Sequence, residues 1–191
     1  MEQLQAYQEL LATTGVEWGL IGPREVDRLW ERHIDNSLAV AEDSECLPGG
    51  VGVLDVGSGA GLPGLVWAIV RPDLEVTLLE PLERRTRFLQ MAVDELQVPN
   101  VRVVRGRAQD FHEKFPRVTA RAVAKTSTLL TWLGPLVAAG GQMVLIKGER
   151  AEAEVAQAQT WLARNKWRAH VQVVGSPPRT RVIVVKADSQ G

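Results

Sequence analysis

The stretch Val51–Gly64, VGVLDVGSGAGLPG, constrains this chain more than any other. An aliphatic run interrupted by Gly52 ends at Val56 and opens into glycines at 57, 59 and 61, the pattern of a buried parallel strand entering a tight turn. Pro63 stands where a helix would begin, because the N–H it lacks is one the first turn leaves unpaired anyway. An apolar segment then continues from Leu65 to Val70. Strand, glycine loop and helix start make a cradle in which a ligand lies against bare backbone, since glycine has no Cβ to hold it off. A plain tight turn can carry the same glycines, so the neighbouring residues have to decide.

Two acids do so. Asp55, two positions before Gly57, would repel a pyrophosphate and attract a ligand bearing an ammonium and a sulfonium. Glu80 closes the next apolar run, Val76–Leu79. An acid about 20 residues beyond the glycines, at a strand tip, is placed to accept hydrogen bonds from ribose hydroxyls. Gly59, Gly61 and Gly64 also spell GxGxxG, so the glycines alone leave a nicotinamide cofactor open. Asp55 favours S-adenosylmethionine.

With 191 residues, 45% of them hydrophobic, the chain suits one well-buried domain carrying an N-terminal extension. The acidic, then Pro-Gly-Gly segment Glu42–Gly50 marks the join: residues 1–45 read as a helical extension and 46–191 as the core domain. A lone cysteine, Cys46, forms no internal disulfide, and His33, His112 and His170 are scattered, so no metal site is expected. No charged-then-apolar leader and no uncharged run of about 18 residues is present, which predicts a cytoplasmic protein that meets no membrane. The net charge of −1 hides an asymmetry: residues 1–50 carry net −7 and the remainder net +6. The basic charge therefore sits in the core domain.

Along the chain, Leu4, Tyr7 and Leu11 recur at helical spacing, and a second helix starts near Pro23 with an apolar stripe from Val26 to Ala41. Arg24, Arg28 and Arg32 line its other face among Asp27, Glu31 and Asp35, a self-neutralising ladder of ion pairs. His33, on the stripe, reads as a hydrogen-bonded packing residue. Strands at 51–56, 75–80, 101–105, 118–123 and 142–146 then alternate with helices at 63–71, 83–97, 127–139 and 149–165, the signature of a parallel sheet with right-handed crossovers. The last two strand-like runs, Arg168–Val174 and Thr180–Lys186, are joined by five residues, too few for a parallel crossover, so they must be antiparallel. The expected fold is α/β: a Rossmann-like, seven-stranded methyltransferase sheet, parallel with one reversed C-terminal strand, and helices on both faces.

Five motifs in order sharpen this: ERHIDNS (Glu31–Ser37), DVGSGAGLPG (Asp55–Gly64), ERRTRFL (Glu83–Leu89), ARAVA (Ala120–Ala124) and LIKGE (Leu145–Glu149). Together, over about residues 20–150, they resemble the glucose-inhibited division protein B (RsmG) family of bacterial 16S rRNA guanine-N7 methyltransferases. The resemblance implies methyl transfer from S-adenosylmethionine to N7 of guanine 527 of 16S rRNA, naked or in a small-subunit particle; a monomer is expected. It also implies a cofactor pocket lined by Asp55, Gly57, Gly59 and Leu62, with Glu80 on the ribose and Ala108 and Gln109 flanking the adenine. Arg121 would lie beside the cofactor facing the base, and Lys147 on the substrate side. Docking of RNA is expected on the strand-end face that carries Arg121, Lys147 and Arg150, with the Arg84, Arg85, Arg87 cluster as the other candidate surface.

The target atom has an independent check. Methylating a pyrimidine carbon needs a cysteine nucleophile, and Cys46 lies in the linker. Methylating an exocyclic amine goes with an Asn/Asp-Pro-Pro-aromatic turn after the fourth strand, where this chain reads Ala124-Lys125-Thr126; its Pro177-Pro178 pair is in the C-terminal hairpin. Guanine N7 carries a free lone pair and no proton, so the protein supplies position and dry walls rather than a base. No catalytic acid or base is therefore expected. A small-molecule methyltransferase and a non-enzymatic RNA-binding or ribosome-assembly protein remain the rival readings.

Overall fold

Alternating apolar side chains build a sheet that must be covered on both faces, and the structure, a computed structural model, shows how. It describes residues 1–121, 125–176 and 179–188. The strands are β1 (Gly52–Val56), β2 (Glu75–Glu80), β3 (Val101–Arg105), β4 (Phe115–Ala120), β5 (Val137–Lys147), β6 (Trp167–Val174) and β7 (Thr180–Ala187). They form one sheet in the order β3-β2-β1-β4-β5-β7-β6. β1 to β5 run parallel, and β7 lies antiparallel to both β5 and β6. β7 is thus the reversed strand expected from the short hairpin. The chain leaves β1 for β2 on one side, while β4 flanks β1 on the other. That switch point opens a crevice at the carboxyl ends of the strands.

Strand periodicity sends Val53, Val76 and Leu78 to one face and Leu54, Val56 and Leu79 to the other. Helices α3 (Gly64–Val70) and α4 (Glu83–Glu95) cover the first; α5 (Thr126–Leu133) and α6 (Ala151–Asn165) cover the second. The N-terminal helices complete the first face. Helix α1 (Glu2–Leu10), α2 (Asp35–Ala41) and the turns between them bury Leu4, Tyr7, Leu29 and Ile34 in the same apolar cluster as Leu65, Trp67, Val182 and Val184. Trp67 donates its indole N–H to Ser37 O at 2.8 Å. Arg71 donates to Ala41 O at 2.9 Å and Leu47 O at 3.1 Å. The segment expected as a linker is thereby tied to the core.

Some boundaries differ from expectation for identifiable reasons. The second helix is three pieces: a 3₁₀ segment Pro23–Arg28, a wider π-type turn Trp30–Ile34, and α2. Leu29 and Ile34 are five residues apart and both fully buried, a spacing the wider turn satisfies and a regular α-helix does not. Helix α5 ends at Leu133 because Pro135 cannot continue it, and β5 accordingly starts at Val137. Strand β4 starts at Phe115, three residues before the expected start, and its register with β5 shifts between Phe115 and Arg117. The predicted continuation of that strand to Val123, the end of the ARAVA motif at Ala124 and the Pro177-Pro178 turn lie outside the described residues. Among the described residues, no helix is long and apolar enough to cross a membrane.

Candidate functional site

The loop after β1 is shaped by glycines in the left-handed region: φ is 68° at Gly57, 60° at Gly59 and 102° at Gly61. Gly57 N–H donates to Leu79 O at 2.7 Å, which fastens the loop to the end of β2. Glu80 completes the join. Its Oε2 accepts Gly59 N–H at 3.0 Å and its Oε1 accepts Leu82 N–H at 3.1 Å. Each oxygen keeps a further lone pair for a ligand. A Cβ on Gly59 would meet nothing closer than Gly57 O at 3.9 Å, so the space in front of it is an open cradle that a side chain would fill.

That cradle is part of a cavity of about 510 Å³ lined by Gly57, Gly59, Leu62, Glu80 and Arg121 among others. An adjoining, mainly apolar slot of about 270 Å³ shares Gly57 and Pro81 with it and is walled by Ala108, Gln109, Leu79 and Trp132. Seven of the eight expected cofactor residues thus line two contiguous spaces. The larger suits an extended polar chain with a ribose, the smaller a flat heterocycle.

Asp55 is the eighth, and it lies elsewhere. Its side chain is fully buried and does not line either cavity. Oδ2 accepts Gly64 N–H at 3.0 Å, so the carboxylate caps the start of α3 from strand β1. Oδ1 is buried without a partner among the described residues. Burial pushes this carboxyl up to about 7, against the downward pull of the Gly64 N–H and the Arg121 charge. Asp55 therefore fastens the start of α3 to strand β1.

Tyr7 is a contributor that sequence reasoning left among the packing residues. Fully buried, it donates its hydroxyl to Ala60 O at 2.7 Å, clamping the glycine loop from α1. A Cβ at Gly61 would come within 2.9 Å of that hydroxyl. Trp132 was equally hidden, since it stands on α5 and outside every strand-end motif.

Beyond Arg121 lies a second cleft, of about 770 Å³, lined by Arg121, Lys125, Lys147, Arg150 and, from the N-terminal segment, His33 and Asn36. Arg121 lines both this cleft and the loop cavity. It forms no ion pair among the described residues, and neither Asp55 nor Glu80 is its partner. Burial lowers its pKa, opposed by Tyr7 and Asp55. Lys147 is paired: its Nζ lies 2.9 Å from Glu154 Oε2, and only 12% of its side chain is exposed. Thr126 donates its hydroxyl to the same oxygen. Burial pushes Glu154 up, but the bonds from Thr126 and Lys147 outweigh it and leave the carboxyl below its ordinary range.

The N-terminal charges arrange themselves differently from the expected ladder. Arg32 pairs with Glu25 at 3.2 Å, and His33 Nε2 lies 3.4 Å from the same carboxylate. His33 is half-buried on the cleft wall; burial, then the Arg121 charge, lowers its pKa. In the cluster on α4, Arg87 pairs with Glu83 at 2.7 Å and Arg85 sits 3.8 Å from Glu80. Among the described residues, no group of three or more His, Cys, Asp or Glu side chains could hold a metal ion.

Comparison with known proteins places these features in a family. The family model described as rRNA small subunit methyltransferase G (GidB) matches residues 1–182. A protein named ribosomal RNA small subunit methyltransferase G from Thermobifida fusca is 57% identical over 164 residues, covering 85% of this chain and 68% of that protein. The protein of the same name from Streptomyces avermitilis is 53% identical over 161 residues, covering 83% and 66%. That from Mycobacterium marinum is 46% identical over 202 residues, covering 100% and 86%. The chain thus spans about two thirds of the length of the first two relatives. Among solved structures, magnesium protoporphyrin IX methyltransferase from Synechocystis with bound SAM superposes with a TM-score of 0.66 at 15% identity, covering 98% of each chain. A ribosomal protein L11 methylase from Lactobacillus delbrueckii gives 0.61 at 13% identity, covering 80% and 77%. At such identities the likeness is one of fold: a seven-stranded Rossmann-like methyltransferase sheet with a reversed C-terminal strand.

Proposed function

The chain belongs to the rRNA small subunit methyltransferase G family, and from that premise we propose that it transfers a methyl group from S-adenosylmethionine to N7 of one guanine of 16S rRNA, guanine 527. The observation that carries the reading is the junction at Arg121: a two-part, cofactor-sized cavity on one side, a cation-rich cleft on the other, and one arginine lining both. The residues fit the cofactor. Glu80 has free lone pairs for ribose hydroxyls beside the glycine cradle, Ala108 and Gln109 wall the slot for adenine, and Gly57, Gly59 and Leu62 line the cavity for the methionine part.

When bound, S-adenosylmethionine supplies a methyl group on a cationic sulfur. Guanine N7 brings its own lone pair, so the chain's residues have only to position and desolvate. Asp55 and Tyr7 hold the loop rigid. Arg121 orients the base at the junction by contact with O6 or a phosphate, since a bidentate grip on O6 and N7 would block the lone pair. Lys125 and Arg150 hold flanking phosphates. In this reading residues 1–45 are a helical extension to a methyltransferase domain of residues 46–191, which works as a monomer in the cytoplasm.

Transfer of tritiated methyl from S-adenosylmethionine tests this. Label should enter small-subunit rRNA, naked or assembled, as 7-methylguanosine and leave a pool of small metabolites unlabelled. Label in the metabolites alone would favour a small-molecule methyltransferase, and no label with intact RNA binding would favour an assembly factor.

A further inference from the structure

We infer that Glu154 reads the Watson–Crick edge of the guanine to be methylated, with Lys147 beside it taking O6. This inference rests on the methylation reading above and deepens it.

Glu154 is the one carboxylate among the described residues that line the cleft, whose walls also carry Arg32, Arg121, Lys125, Lys147 and Arg150. On a surface that only gathers phosphates, a carboxylate weakens binding by repelling them. A carboxylate placed there instead offers an acceptor to a partner with donors. Oε2 is taken by the Thr126 hydroxyl and the Lys147 ammonium. Oε1 has no partner among the described residues, and 30% of the side chain faces solvent. An ionised carboxylate oxygen is an acceptor only.

Guanine has the complementary edge. Its N1–H and one N2–H run side by side in the same direction, and one oxygen seated between them can accept both, which Oε1 offers with two free lone pairs. Going round the base from N2 and N1, the next atom is O6, an acceptor. Lys147 Nζ stands 2.9 Å from the Glu154 carboxylate and retains a proton for O6. The atom after O6 is N7, which this arrangement leaves without a donor, as its attack requires. Adenine fails on two counts: N1 is an acceptor facing Glu154, and N6 is a donor facing Lys147. Uracil and cytosine lack the paired donors. Arg121 lines both this cleft and the cofactor cavity, so a base held in this way lies beside the residue that the two sites share.

The test is a cycle of two changes. Small-subunit rRNA carrying inosine in place of the target guanine keeps N1–H, O6 and N7 but loses the N2 amine. Hydrogen bonds to a charged group predict that the unchanged protein prefers guanine over inosine by about ten- to hundredfold in kcat/KM. Glu154→Gln keeps the side-chain shape and can still accept from Thr126. It should lose about tenfold or more on guanine and discriminate between the two RNAs by less than about threefold, with a cooperative unfolding transition retained and S-adenosylmethionine affinity unchanged. Equal rates of the unchanged protein on both RNAs would overturn the inference, as would a Glu154→Gln protein that slows both RNAs alike and keeps the preference, since that pattern marks a carboxylate that merely holds Lys147. Failure of the unchanged protein to methylate the guanine RNA would instead overturn the methylation reading, and this one with it.

Discussion

At Gly59 a backbone held at φ 60° faces open cavity, so a side chain there meets the ligand before it meets the protein. Gly59→Val should abolish S-adenosylmethionine binding in calorimetry while costing the fold only about 1–2 kcal/mol of backbone strain. Gly64 is the reverse case: a Cβ would stand 2.5 Å from Leu78 Cδ2 and 2.7 Å from Asp55 Oδ2. Gly64→Ala should therefore lower the stability seen in urea unfolding by about 1–3 kcal/mol. Asp55 gives a pH signature. Its carboxyl titrates near 7 when folded and near 3.8 when unfolded, so between those values the folded state holds the extra proton. Its contribution to stability is full below about pH 4 and is lost as the pH rises through 7. Asp55→Asn, which keeps an acceptor for Gly64 N–H, should remove a fall on the order of 2–4 kcal/mol across that window, read as a flatter stability–pH curve. The glycines and Glu80 were legible because only certain residues meet those backbone and ligand demands. Asp55 carried two roles that its position does not separate, because an acid just before a glycine loop looks the same whether it faces a ligand or caps the next helix.

Elements show the same division between local and tertiary signals. β2 and β3 have the expected bounds, since Glu80-Pro81 and Arg105-Gly106 stop them locally. β4 did not announce its start, because Pro116 lies inside it; the missing N–H coincides with the register shift against β5. The three-part winding of the second helix depends on which side chains the sheet can accept, which no periodicity shows. Helix α1 looked like an appendage, yet its Tyr7 holds the glycine loop. Tyr7→Phe should cost about 1 kcal/mol in unfolding and weaken S-adenosylmethionine binding, measured by calorimetry. Unaltered cofactor affinity would show that the loop keeps its shape without α1.

Over the whole molecule, charge totals mislead. The acidic first fifty residues place Arg32, His33 and Asn36 on the cation-rich cleft, while Lys147 of the basic core is neutralised by Glu154. Lys125 and Arg150 line the same cleft with no ion pair among the described residues. Arg150→Ala should therefore lower the salt slope of RNA binding by about 0.7–0.9, and Lys147→Ala should lower it less, as fluorescence anisotropy across a salt series can show. The fold class was readable because it follows from strand spacing, and the residues that line the two cavities beside the glycine loop because they follow from loop chemistry. The pairing of Lys147 with Glu154 was not, since it joins β5 to α6 in space. The central claim is that this site methylates one guanine, and mapping methylated nucleotides by mass in small-subunit rRNA from cells with and without the gene tests it most directly. A single 7-methylguanosine, at guanine 527, should be present with the gene, absent without it, and restored by the unchanged protein but not by Gly59→Val; identical methylation maps with and without the gene would contradict the claim.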